Sequence, residues 1–467
     1  MEATIDGNKP GRNQFIAAFL TAALGSTSIG AVFGFSAILL PQMEVEFQLD
    51  SKSEEASWIA SIINLGQIFG ALFFGAISGL IGRRMTLVFQ SIPLVLGWLL
   101  IGISDGNFVI IIFGRILGGI GLISTVSQMY LVEIADSNNR GQFGALGAVF
   151  VSVGITKVYI LGALLNWRTV CLICGVQPVL YILVLLFYLP ETPLYLASKD
   201  KFQKTEKVLK WLRGPKYDIC TELEGLKSAE KNDNERYLDK LRKFSKPSAY
   251  NPMIVLTVLF ALQQWTGSYA VIFYSVNIFK DVGISGNGLE YIPSILVGFI
   301  RIIGTIIGTI LLKKLGRRTL LIISSGIAGV ILCLLALTLY FMSIKNVEDK
   351  WMLLLPALEV IMYILAYGIG LGIVPWILIG ELCTTELKGV ISGIATCSCY
   401  LNIFITVKLF PQSILSIGSH GTFLVFAVFC LASIIFAVLK VPETKGKSMQ
   451  EIQAYFNHAV HDSGECS

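Results

Sequence analysis

Long apolar runs follow one another along almost the whole chain, and only one stretch of any size, residues 190–250, is predominantly polar. A bilayer needs about 20 apolar residues per helical crossing, and lipid offers a backbone no hydrogen-bond partner. Each run is therefore predicted to be a helix. We read twelve crossings, at 15–40, 57–81, 85–104, 108–133, 141–165, 168–189, 251–280, 290–312, 319–343, 352–381, 389–415 and 420–440. The 54% hydrophobic and 14% charged residues exclude an ordinary soluble domain.

Charge orients the crossings. Lys9, Arg12, Arg83, Arg84, Arg140, the 199–246 stretch, Lys313 to Arg318, Lys388, Lys445 and Lys447 fall on one side. The other side has few bases and carries Glu44, Glu46, Glu54 and Glu55. Basic loops stay cytoplasmic, so both termini are expected inside. The net charge of +5 then reflects topology, and no aromatic-basic module points to nucleic acid. The first fourteen residues lack a cleavable signal pattern, so the first apolar run is the expected insertion signal. Cys171 and Cys174 have CxxC spacing within a crossing, with no second pair and no nearby histidine, and are read as packing residues rather than a metal site.

The chain is also written twice. Gly82-Arg83-Arg84 returns as Gly316-Arg317-Arg318, Glu133 with Arg140-Gly141 returns as Glu381 with Lys388-Gly389, and Pro190-Glu191-Thr192 returns as Pro442-Glu443-Thr444. The offsets of 234, 248 and 252 residues are nearly constant, the mark of an internal repeat. The expected organisation is a tail of residues 1–14, a six-helix bundle over 15–189, a cytoplasmic helical linker over 190–250, a second bundle over 251–440 and a tail over 441–467. Parallel repeats of this kind build many secondary transporters. Gly66 with Gly70 and Gly114 with Gly118 suit close helix approach. Gly267 in the seventh crossing, and Gly368, Gly370, Gly372 and Pro375 in the tenth, should break their helices beside a central pathway.

Three groups of residues stand out. The first is the set of charges at the inner helix ends: Arg83, Arg84, Glu133 and Arg140, with Arg317, Arg318, Glu381 and Lys388 in the second copy. They suit a cytoplasmic gate of ion pairs, or simple orientation charge. The second is Gln263-Gln264-Trp265-Thr266-Gly267 with Tyr269, where amides and aromatic faces suit a polyhydroxylated solute. Tyr274, Trp376 and Tyr400 are candidates for the same cavity, and interhelical bonding or packing is the alternative for each. The third is charge at depth. Arg115, Lys157 and Arg301 lie within crossings, where a cation costs about 2.5–3.5 kcal/mol. Lys157 is expected to snorkel outward. Arg301 either touches solute or pairs with Glu359, the one carboxylate inside a crossing away from the inner ends. The first crossing holds no acid, which favours passive movement over proton coupling.

With these motifs in place the chain resembles the sugar porter family of the major facilitator superfamily, in particular insect trehalose or glucose facilitators. The resemblance spans nearly the whole chain through Gly114-Arg115, Tyr130 with Glu133 and Arg140-Gly141, Trp167-Arg168, Pro190-Glu191-Thr192-Pro193, Gln263-Gln264, Gly316-Arg317-Arg318, Pro375-Trp376, Glu381 and Pro442-Glu443-Thr444-Lys445-Gly446. It implies alternating access, with sugar held between the halves and the charged inner motifs locking the outward-facing state. The chain departs from the family pattern at several points. An aspartate usual before each Gly-Arg-Arg falls on Gly79 and Lys313. The fifth-crossing glutamine falls on Ala148, the seventh-crossing asparagine on Tyr269, the eighth-crossing asparagine on Arg301 and the eleventh-crossing Asn-Trp on Cys399-Tyr400. The aspartate of proton-coupled relatives falls on Val32.

The resulting expectation is an all-α integral membrane protein with twelve transmembrane helices in two six-helix bundles. It would be a uniporter for a monosaccharide or trehalose in the plasma membrane, working as a monomer without cofactor, metal or nucleic acid. An anionic or other small organic solute held by Arg301, or a sensor that binds sugar without moving it, remain alternatives.

Overall fold

The computed structural model describes residues 11–122, 124–136, 139–214, 219–220, 222–225, 247–284, 286, 288–345, 350–383, 388–447, 451–452 and 455–456. These residues are overwhelmingly helical. Ten helical spans among them are long and apolar enough to cross a membrane. The last of these, Lys388–Lys440, is two crossings joined through Gly418, whose φ of 73° lies in the left-handed region. A further crossing, outside these ten, runs in three pieces, Pro247–Trp265, Ser268–Phe273 and Ser275–Asp281. Twelve crossings result. Large apolar side chains such as Phe69, Phe73, Phe113 and Val330 ring the exterior, where lipid rather than water would meet them.

The crossings are numbered here in chain order. In the first half these are Arg12–Phe47, Glu54–Ile81, Arg83–Gly102, Phe108–Ile134, Gly141–Leu164 and Trp167–Phe187. In the second half the broken seventh is followed by Tyr291–Lys314, Arg317–Lys345, Lys350–Ile369 with Val374–Leu382, and the joined eleventh and twelfth. The first and fourth crossings are also irregular. The first carries a π-helical turn, Thr21–Ser26, and the fourth breaks between Phe108–Ile120 and Ser124–Ile134. The close approach expected at Gly66 is present: a Cβ there would lie 2.4 Å from the Ile116 carbonyl oxygen.

Between the halves, Pro193–Ala197 and Phe202–Arg213 form short helices at the end that carries the Gly-Arg-Arg turns. Leu209 and Leu212 are buried, as the helical spacing predicts. Arg213 clamps this segment onto the first bundle. Its guanidinium reaches Gln14 at 2.5 Å, the Ile134 carbonyl at 2.8 Å and Glu222 at 2.7 Å. Residues 226–246 lie outside the described residues.

The two halves meet at the end away from the Gly-Arg-Arg turns. Lys52 pairs with Asp281 at 3.0 Å, Lys280 with Glu44 at 3.0 Å, and Lys408 donates to Ser57 Oγ at 2.7 Å while lying over the Trp58 ring. Each of these contacts joins one half to the other. Deeper in, Phe33 of the first crossing sits edge-on to Tyr269 at 5.3 Å and beside Phe273 at 5.9 Å. Tyr159 Oη donates to the Ile272 carbonyl at 2.7 Å, again across the halves. The cross-half hydrogen bonds, ion pairs and ring contacts described here all lie at or toward this end.

These lysine pairs are about one-third exposed, a setting in which a pair contributes roughly 0.2–1 kcal/mol. Glu44→Lys or Lys280→Glu alone should therefore open this end by up to about fivefold in population. The double reversal should return it to the original balance. Spin-label distances across this end would check this, and a double reversal no better than either single change would contradict it.

Candidate functional site

Two helix breaks face each other in the second bundle. In the seventh crossing Gly267 adopts φ 87°, a left-handed conformation that a side chain would strain. In the tenth the helix unwinds between Ile369 and Val374. Backbone groups freed by such breaks need new partners in a bilayer, and side chains supply them. Gln263 Nε2 donates to the Leu371 carbonyl at 2.6 Å, Tyr363 Oη to the Thr266 carbonyl at 2.7 Å, and Ser324 Oγ accepts from the Leu371 amide at 2.9 Å. Gln264 Nε2 is shared between Gln263 Oε1 at 3.0 Å and Cys399 Sγ at 3.2 Å. Gln264 Oε1 is buried without a partner.

The two glutamines therefore lie buried between the seventh, tenth and eleventh crossings and already hold protein partners. Tyr269 is buried beside them at the junction of the halves, against Phe33. The guanidinium carbon of Arg301 lies 5.6 Å from the Tyr269 ring centre and 5.8 Å from that of Tyr367. The other cavity candidates disperse. Tyr274 Oη reaches the Val407 carbonyl at 3.3 Å and stacks near Phe410, while Tyr400 is buried. Trp376 is 38% exposed and edge-on to Phe260.

The charges at depth need two corrections. Lys157 does not snorkel. Its Nζ bonds Gln177 Oε1 of the sixth crossing, and Gln177 Nε2 in turn donates to the Leu24 carbonyl at 2.9 Å, so an interior amide was available 20 residues away. Arg301 does not pair with Glu359. Glu359 instead accepts from Thr338 Oγ1 at 3.0 Å, toward the ninth crossing. Arg115, fully buried, spends its donors on the Ile59 carbonyl at 2.9 Å, the Val32 carbonyl at 3.5 Å and Ser36 Oγ. It thereby ties the first, second and fourth crossings together.

The repeated motifs build two copies of one hub. Arg83 pairs with Glu133 at 2.9 Å and Arg317 with Glu381 at 2.7 Å, each pair within its own half. The side chains of Arg140 and Lys388 lie outside the described residues. Glu191 accepts from the Arg83 and Arg84 amides at 3.0 and 3.1 Å, and Glu443 from the Arg317 and Arg318 amides at 2.8 and 3.2 Å. A carboxylate thus caps the free N–H groups where the third and ninth crossings begin. Arg84 does the converse, donating to the Leu185 and Leu186 carbonyls at 2.6 Å as the sixth crossing ends, and Arg318 reaches the Val438 carbonyl at the end of the twelfth. The glycine of each motif makes room: a Cβ on Gly82 or Gly316 would lie 2.4 or 2.0 Å from the capping carboxylate oxygen.

Residues not singled out from sequence complete the picture. Phe33, Phe273 and Tyr159 close the junction, and Asn402 accepts from Trp265 Nε1 at 2.9 Å. Asn402 and Lys408, polar residues inside the eleventh crossing, and Gln177 inside the sixth were the signals available.

The profile described as Sugar (and other) transporter matches residues 18–456. The chain belongs to this family. It is 33% identical over 448 residues to the facilitated trehalose transporter Tret1 of Bombyx mori, covering 94% of this chain and 86% of that one. The Culex quinquefasciatus Tret1 is 31% identical, with 94% and 85% covered. The Drosophila grimshawi Tret1 is 32% identical, but this transporter spans only 47% of its length. Among solved structures, the proton:xylose symporter XylE bound to 6-bromo-6-deoxy-D-glucose superposes with a TM-score of 0.78 at 20% identity, covering 95% of this chain and 99% of that one. The inward open conformation of XylE from E. coli gives 0.77 at 19%, with 95% and 99% covered. This likeness establishes the major facilitator fold.

The two capping glutamates of this transporter titrate in opposite directions. Burial pushes Glu191 above the ordinary carboxylate range, more than its backbone bonds lower it. For Glu443 burial also pushes up, but the amides of Lys445, Arg317, Arg318 and Thr444 together outweigh it and hold the group low. A lowered folded value gives stability above the unfolded value, near pH 4.3, that is lost as pH falls through the folded value. A raised value gives stability at low pH that is lost as pH rises through it. Glu443→Gln should therefore flatten the acid-side fall in melting temperature of the purified protein, and Glu191→Gln should not. Equal flattening by both would contradict the asymmetry.

Proposed function

We propose that this member of the sugar transporter family is a facilitative carrier moving a sugar, a monosaccharide or trehalose, down its gradient by alternating access. It is a carrier and not an enzyme, as its family membership implies. The observation that carries the reading is the asymmetry of the junction. Phe33, Tyr269, Phe273 and the lysine pairs shut one end, and the contacts described between the halves are gathered toward that end. A carrier that alternates needs a state of this kind, in which one face is closed by breakable contacts. With the basic end facing the cytoplasm, this is the inward-facing state, the plasma membrane is the expected site and a single copy suffices.

In this state the glutamines hold each other and the tenth-crossing turn. Sugar hydroxyls would exchange for those bonds as the junction opens. The Arg83–Glu133 and Arg317–Glu381 pairs brace each half, and partners across the gap would complete the gate in the opposite state. Residues 15–40 of the first crossing carry no acid, and Glu359 faces Thr338 rather than the junction, which supports uniport.

Counterflow of labelled sugar into preloaded proteoliposomes tests the reading. Exchange is expected, and binding without exchange would make the protein a sensor. Collapsing the proton gradient should leave uptake unchanged; strict proton dependence lost in Glu359→Gln would overturn uniport. Gln263→Ala should raise the half-saturation concentration about tenfold, the scale of one or two buried hydrogen bonds. Unchanged kinetics in that variant would remove Gln263 from the pathway.

A further inference from the structure

Of the three guanidinium groups buried among the described residues, the two inside crossings, Arg115 and Arg301, are treated very differently. Arg115 has three oxygen acceptors around it. Arg301 is 8% exposed, its Nη1 has no partner, and no described carboxylate pairs with it. Its neighbours are Tyr269, with whose hydroxyl it shares a hydrogen bond, and the face of Tyr367, and neither compensates its charge. A buried charge left without a counter-charge is costly, and groups in that condition inside a membrane mark solute or ion paths.

Arg301 is not isolated from the rest of the site. Tyr269 links it to Phe33 at the junction of the halves. On its other side Tyr367 lies against Gly372, next to the Leu371 carbonyl that Gln263 holds. The same break carries the unpartnered Gln264 Oε1 and the Ser268 hydroxyl. A cationic donor and an amide acceptor in one neighbourhood thus lack protein partners, while the Ser268 hydroxyl is shared with Tyr367. Buried polar atoms are as a rule satisfied by protein, water or ligand.

We propose that Arg301 is the specificity-determining residue of the solute site and selects sugars that carry a carboxylate over neutral ones. The guanidinium fork matches a carboxylate bidentately, while Gln264 Oε1 and Ser268 Oγ receive and return hydroxyl bonds from the ring. A neutral hexose satisfies the amide but leaves the cation uncompensated, and an amino sugar adds a like charge. The inference rests on the carrier reading above and specifies which sugars that carrier prefers.

The test uses the full chain in proteoliposomes, with counterflow of labelled D-glucose and labelled D-glucuronate measured separately at neutral pH. D-glucuronate, D-glucose and D-glucosamine serve as competitors. In the wild type, glucuronate should compete at a concentration at least tenfold below that of glucose, with glucosamine weakest. Arg301→Gln should abolish the glucuronate advantage while glucose exchange persists, and Arg301→Lys should retain part of it. Equal potency of glucuronate and glucose in the wild type overturns the proposal whatever the variants do, as does an advantage that survives in Arg301→Gln. Glucose exchange with no response to glucuronate sinks this inference alone, whereas exchange of neither sugar sinks the carrier reading as well.

Discussion

A helix may be broken inside a bilayer only if something else bonds the backbone it releases, and that condition shapes the second half of this protein. The seventh and tenth crossings are interrupted at nearly the same depth, and side chains bridge the gaps. Gln263 serves the tenth from the seventh, Tyr363 serves the seventh from the tenth, and Ser324 of the ninth supports both ends of the unwound turn through Leu371 N–H and the Ala366 carbonyl. The amide proposed to meet a hydroxyl-rich guest is thus also the one that repairs the scaffold. On that proposal solute binding and helix repair would draw on the same hydrogen bonds, and the arrival of one would rearrange the other.

The first half is built differently. Arg115, Lys157 and Gln177 satisfy themselves on carbonyls and amides of neighbouring crossings, so its buried cations work as ties. At the basic end both halves share one device, a carboxylate on the helix start and a guanidinium on the end of another helix. The two copies are not electrostatically equal, since Glu191 is the more buried and its burial outweighs its bonds.

The fold was legible because its signals are local or repeated. Run length gave the crossings, three motif pairs in register gave the duplication, and Gly267 and the tenth-crossing glycines marked the breaks. The site was legible only in part, because its partners are distant in sequence. Gln263 announces an amide but not that the Leu371 carbonyl, 108 residues on, holds it. Lys157 was expected to reach the headgroups because nothing near it in sequence reveals the face shared with Gln177. For Arg301 the sequence left contact with solute and a pair with Glu359 both open, and the two charges face different neighbours. The closing aromatics gave no signal either, since a phenylalanine in a crossing looks the same whether it meets lipid or another helix.

The tie made by Arg115 has a mechanical consequence. One guanidinium grips three crossings through their main chains, so none of the three can bend or slide without dragging the others. The fourth crossing, itself interrupted between Ile120 and Ser124, is thereby pinned to the first and second, so its break is held within a frame of three joined helices.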